Sequence, residues 1–131
     1  MVTPRGTDTL RQDDKVKIGF VLGSSEAGIT AQADTTKANA TQLTCRLNQV
    51  ATVAGAADSV KLPPGDVGME VFIANDGAAA LQVFGSGNDT IDAVATATGV
   101  ALTNAERAWY YCVAVSSGVY AWVSQEGPKS T

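Results

Sequence analysis

Apolar and polar side chains alternate with a period of two in several short runs of this chain, and clusters of glycine, proline, asparagine and serine separate the runs. In 69–73 the residues Met69, Val71 and Ile73 share one face and Glu70 and Phe72 the other, the signal of a half-buried strand. The same reading predicts strands over 43–53, 59–62, 68–74, 81–84, 99–102, 107–115 and 119–124. Asn75, Asp76 and Gly77 tolerate positive φ, so a hairpin is expected to join 68–74 to 81–84. Further turn clusters lie at 85–89 and 116–118, and turns this frequent predict antiparallel sheets.

The last two predicted strands hold the richest core material: Trp109, Tyr110, Tyr111, Val113 and Val115, then Val119, Tyr120, Trp122 and Val123. Each aromatic ring can bury a large area, so this hairpin is expected to be the energetic centre. Phe72, Phe84, Trp109, Tyr111, Tyr120 and Trp122 are the candidate aromatics of a core or of an oligomer interface.

Upstream the pattern weakens. Residues 1–17 carry Pro4, Gly6 and the charged cluster around Arg11, Asp13, Asp14 and Lys15, with no sustained apolar period. They read as an extended tail, either disordered or ordered along a partner. Val16, Ile18 and Phe20 then alternate with Lys17 and Gly19 before Val21 and Leu22, giving a strand or an apolar anchor. The glycine and serines that follow lack the spacing of a phosphate-binding loop. Residues 27–44 are rich in alanine and threonine without an apolar stripe and read as linker. Pro63 and Pro64 break the strand before them, because proline cannot donate to a central ladder. The expected organisation is an N-terminal arm and linker over 1–41 and a β domain over 42–131. The expected fold is all-β, a small antiparallel sandwich or barrel-like module with an extended arm.

A chain of 131 residues, 45% hydrophobic, accommodates one core. Only 6% of the residues are aromatic, so that core is thin and an oligomer is expected to complete the burial. The net charge of -4 argues against general nucleic-acid binding, which needs a basic surface. No apolar run is long enough to span a bilayer or to form a signal-peptide core, so a cytosol-like compartment is expected. Cys45 and Cys112 lack metal-ligand or redox spacing and read as small buried hydrophobes.

The chain has no histidine, which excludes His-based triads, His zinc ligands and imidazole bases. A carboxylate pair for glycoside hydrolysis would have to come from Asp89, Asp92 and Glu106, and a calcium site from Asn88, Asp89 and Asp92. Backbone hydrogen bonding in turns accounts for these residues without either chemistry. Tyr120 or Trp122 could stack on a sugar, although packing in a core or interface is the commoner fate of such rings. No catalytic residue, cofactor or metal is therefore assigned.

The order of pieces from residue 59 onward is distinctive. A strand ends in Val60, Lys61, Leu62 and Pro63, and an apolar strand runs into Asn75, Asp76 and Gly77. The segments 81–85 and 87–92 follow, then Gly99 and Val100 and the aromatic hairpin. Over 43–124 this resembles a small β module of tailed-bacteriophage structural proteins, which include head-decoration (capsid cement) proteins and fibre-like proteins. The resemblance implies a non-enzymatic virion component, commonly trimeric, made in the host cytoplasm and placed on the capsid exterior. Its partners would be the major capsid protein and further copies of itself, with no membrane and no nucleic acid. Arg11, Lys15, Lys17, Ile18, Phe20 and Leu22 are the candidate capsid-docking arm. The alternative implied is a head-fibre or tail-fibre module that binds a host-surface receptor or glycan.

Overall fold

The computed structural model describes residues 24–127. These contain ten strands and no helix. In chain order the strands are β1 (Ser25–Thr30), β2 (Thr41–Gln42), β3 (Leu47–Thr52), β4 (Ser59–Lys61) and β5 (Glu70–Asn75). They continue with β6 (Leu81–Phe84), β7 (Thr90–Ile91), β8 (Val100–Leu102), β9 (Arg107–Ser116) and β10 (Val119–Glu126). One sheet has six strands in the order β1-β3-β5-β9-β10-β7 and the other has four in the order β2-β4-β6-β8.

From β1 to β8 the chain changes sheet at every strand. Neighbours within a sheet are therefore often one full circuit apart and run the same way: β1, β3 and β5 pair in parallel, as do β2, β4 and β6. Antiparallel pairing appears where β9 joins β5, where β8 joins β6, and in the β9–β10 hairpin. The all-β sandwich expected from the sequence is present, but its sheets are mixed.

The hairpin expected between 68–74 and 81–84 does not form, because β5 and β6 lie in different sheets. Asn75, at the end of β5, is fully buried and its amide donates to the carbonyls of Ala79 and Leu102, at 2.9 and 2.8 Å. Its Oδ1 accepts the Gly77 N–H at 2.9 Å. The turn-forming residues are thus spent on a corner between sheets. Glycine is required there, since a Cβ at Gly77 would lie 2.4 Å from the Val53 nitrogen.

The stretch read as linker also belongs to the sheets. β1 pairs with β3 and β2 with β4, so the sheet begins well upstream of residue 41. Ala31 and Ala40 are buried and Gln32 bridges to Ser59. The Lys37 ammonium donates to the carbonyl and hydroxyl oxygens of Thr96, each at 2.8 Å, and burial lowers its pKa. Within β1 only Ile29 is buried, so backbone pairing holds this strand and no apolar stripe marks it.

The closing hairpin is as expected. Ser117 and Gly118 both take positive φ, 51° and 77°, the conformation that matches a two-residue turn to the twist of its strands. Its inward residues are Ala108, Tyr110, Cys112 and Trp122, which meet Val60, Leu62, Leu81, Val83 and Leu102 of the opposite layer in one cluster. Burial holds the Tyr110 hydroxyl far above its ordinary pKa, helped by the nearby carboxylates of Glu126, Asp92 and Glu106. Val113 and Val115, expected in the core, are instead exposed. Strand alternation sends Trp109, Tyr111 and Val113 outward once Tyr110 and Cys112 turn in, and the register places one extra β9 residue, Val113, opposite the step from Ala121 to Trp122.

Two outcomes follow from this inside–outside assignment. Trp122→Ala is expected to lower the unfolding free energy by about 3–5 kcal/mol in urea denaturation. Cys112 is buried, and burial and the Asp89 carboxylate raise its pKa, so its thiolate is disfavoured; Cys45 is half-exposed. In the folded protein a chromogenic disulfide reagent is expected to titrate one thiol fast and the second only on unfolding.

Candidate functional site

Among the described residues, the six-stranded sheet buries one face and leaves the other bare. Across the bare face Leu47 stands opposite Phe72, Phe72 opposite Trp109 and Trp109 opposite Gln125, a row crossing β3, β5, β9 and β10. The adjacent row aligns Glu70, Tyr111 and Val123. The Phe72 and Trp109 rings are 5.2 Å apart at 56°, and the Trp109 and Tyr111 rings lie 6.3 Å apart, nearly parallel at 18°. These are the tilted and offset geometries that aromatic quadrupoles favour.

Arg46 locks the arrangement from one side. Its guanidinium carbon is 4.9 Å from the Trp109 ring centre and its Nη2 is 3.1 Å from Glu70 Oε1. With side chains 24% and 45% exposed, the ion pair is worth little as a bond. It does hold the cation over the indole, a contact worth roughly 0.5–1 kcal/mol at an exposed site. Beside these rings a shallow groove of ≈ 430 Å³ opens between β1, β3 and β5, lined by Ala27, Leu47, Phe72, Ala74 and Trp109.

Beyond the rings the face continues in aliphatic side chains, with Leu47 37%, Val123 41% and Val113 51% exposed. A contiguous aromatic and aliphatic surface of this kind costs free energy in water, which makes it the candidate site. Its chemistry is that of binding by apolar burial, with the Arg46–Glu70 pair and Gln125 at its polar edge.

The structure divides the six candidate aromatics into three sets. Phe72, Trp109 and Tyr111 come together on the outer face. Trp122 is in the core, and Phe84 is buried outside the central cluster, with Gly99 against its ring. Tyr120 is half-buried at the edge of the core cluster, packed against it and beside Gly65 and Asp89. An exposed, sugar-stacking role for Trp122 is therefore overturned, because the alternation along β10 turns its indole inward. Arg46, Leu47, Val113 and Val123 belong to the bare face but are absent from the sequence-based candidates. Their outward phase was readable from alternation with Tyr110 and Cys112, although the parallel β3–β5 pairing that adds Leu47 and Arg46 was not. Arg11, Lys15, Lys17, Ile18, Phe20 and Leu22 lie outside the described residues.

The carboxylates considered for catalysis or calcium are engaged with backbone. Asp89 is buried, and its two oxygens accept the N–H groups of Gly65 and Tyr120, each at 3.1 Å. Asp92, at positive φ, accepts the Ser124 N–H at 2.8 Å, and Glu106 accepts that of Thr103 at 2.8 Å. Among the described residues no group of three or more acidic or cysteine side chains is placed to hold a metal ion.

Asp89→Ala strips two partly buried N–H groups of their acceptor. It is expected to destabilise the fold by about 1–3 kcal/mol and to speed hydrogen exchange at the Gly65 and Tyr120 amides, read by NMR. In comparison with known proteins, no family model and no curated protein matches this chain.

Proposed function

We propose that the chain is a structural virion protein of a tailed bacteriophage, which decorates the capsid exterior as a symmetric homotrimer and stabilises the shell of major capsid protein. The observation that carries this reading is the bare face built on Phe72, Trp109 and Tyr111 and extended by Val113 and Val123. A monomer gains nothing from leaving such a face in water, whereas a symmetric assembly covers it with each added copy.

Two further features agree with that role. The sequence from 43 to 124 resembles a β module of tailed-bacteriophage structural proteins, decoration and fibre-like proteins among them. The described residues are also strongly acidic, with Glu26, Asp34, Asp58, Asp66, Glu70, Asp76, Asp89, Asp92, Glu106 and Glu126 against Lys37, Arg46, Lys61 and Arg107. That balance disfavours phosphate backbones and suits a module held to protein by apolar and backbone contacts. Binding at many equivalent sites on a shell lets three weak contacts act together, so avidity substitutes for one strong contact.

The reading predicts an oligomer in solution and a regular distribution over the head. Sedimentation equilibrium of the full chain should give a trimer, and Trp109→Glu should convert it to a folded monomer that binds purified shells at least about tenfold more weakly. A monomeric wild type, or a trimer unaffected by the substitution, would count against the interface. Labelling of intact particles with an antibody to the β domain should mark the head evenly, and label confined to the tail would favour the fibre alternative.

A further inference from the structure

Away from the bare face, two adjoining depressions of ≈ 510 and ≈ 320 Å³ share Pro64, Gly65 and Tyr120 as common walls. Asp66 and Met69 complete the first, and Ser86, Asn88 and Gly118 the second. Three turns that are distant in the chain meet here, and one side chain ties them. The Asp89 carboxylate accepts the Gly65 N–H from one turn and the Tyr120 N–H from the β9–β10 hairpin, each at 3.1 Å, while its own turn carries Ser86 and Asn88. Gly65 allows the closeness, since a Cβ there would fall 2.6 Å from the Tyr120 Cβ and 2.9 Å from Asp89 Oδ2. The walls are thus set before any ligand arrives, which reduces the ordering cost of binding.

We propose that this double depression binds neutral carbohydrate, with Tyr120 as the stacking ring and Asn88 as the principal hydrogen-bonding side chain. Both volumes fall within the roughly 300–1,000 Å³ range of small-molecule sites. Tyr120 is half-buried and walls both hollows, whose linings mix apolar and polar groups, the combination that suits a pyranose with one C–H face and a rim of hydroxyls. Neither the Tyr120 hydroxyl nor the Asn88 amide makes a hydrogen bond within the described residues, and Asn88 is exposed at its turn. Asn88 can therefore donate to and accept from vicinal hydroxyls. The walls carry Asp66 and Asp89 and no lysine or arginine, so phosphate, nucleic-acid and sialic-acid ligands are disfavoured. The buried Asp89 carboxylate is occupied by its two N–H donors, which leaves it a scaffold for the site.

The proposal goes beyond the virion reading and does not depend on it. The test is titration of the isotope-labelled full chain with glucose, galactose, N-acetylglucosamine and lactose, with sialyllactose as the charged comparison, followed by amide NMR. At least one neutral sugar should give saturable shifts centred on the amides of Gly65, Gly87, Gly118 and Tyr120. Tyr120→Ala and Asn88→Ala should each weaken that binding by about tenfold, equivalent to about 1.4 kcal/mol. If Tyr120→Ala fails to fold, Asn88→Ala, at an exposed turn, carries the test alone. Absence of saturable shifts with every neutral sugar overturns the proposal. So do shifts centred on Trp109, binding of sialyllactose alone, or wild-type affinity in a folded Asn88→Ala protein.

Discussion

Every strand of this chain from β1 to β8 must find its burial in the sheet opposite its chain neighbours, because the polypeptide crosses between layers at each turn. That alternation is the constraint on which the rest depends. It makes the parallel neighbours β1, β3 and β5 a full circuit apart, and it gathers Val50, Val71 and Ile73 against Val60, Leu81 and Val83 in one cluster. Small side chains suffice because both layers contribute to the same space, with Tyr110 and Trp122 as its fully buried large rings and Tyr120 packed against its edge.

Crossing between layers leaves backbone groups at the corners that no ladder satisfies, and buried polar side chains take them up. Asn75 serves the corner after β5 and bonds to Leu102 as well. Asn48 donates to the carbonyls of Cys45 and Phe72, and Asp58 accepts the Ala54 N–H. Asp89 spans the greatest sequence distance, drawing the turn at Gly65 to the final hairpin. These residues have the composition of exposed turns but act as internal fasteners. Their carboxylates and amides are committed to structure, so the chemistry left for function lies on surfaces: the aromatic face and the depressions around Tyr120.

The aromatic face follows from the same geometry. β9 is the longest strand among the described residues, ten residues, and is flanked by β5 and β10, so its outward side chains find neighbours on both sides. Trp109 is thereby set between Phe72 and Tyr111 with Arg46 above it, a rigid apolar surface that needs no rearrangement to bind. Rigid aromatic anchors with a polar edge are the usual centre of protein interfaces, since they bury much area for few frozen torsions.

The sequence by itself determined where most strands lie and which way their side chains point. Segment 81–84 matches β6 end for end, the closing hairpin turns at Ser117 and Gly118, and Val71 and Ile73 face inward opposite to Phe72. These features depend on alternation and turn chemistry, which act between residues two to four apart. Only the tertiary structure decided which sheet each strand enters. Asn75, Asp76 and Gly77 suit a hairpin locally, yet β5 and β6 enter different sheets and Asn75 is bonded into the corner between them. β1 and β2 carry too few apolar residues to announce themselves and exist through hydrogen bonds to strands a circuit away. The depressions at Tyr120 were hidden for the same reason, since Gly65, Asp89 and Tyr120 are brought together by long-range bonds that no local pattern encodes.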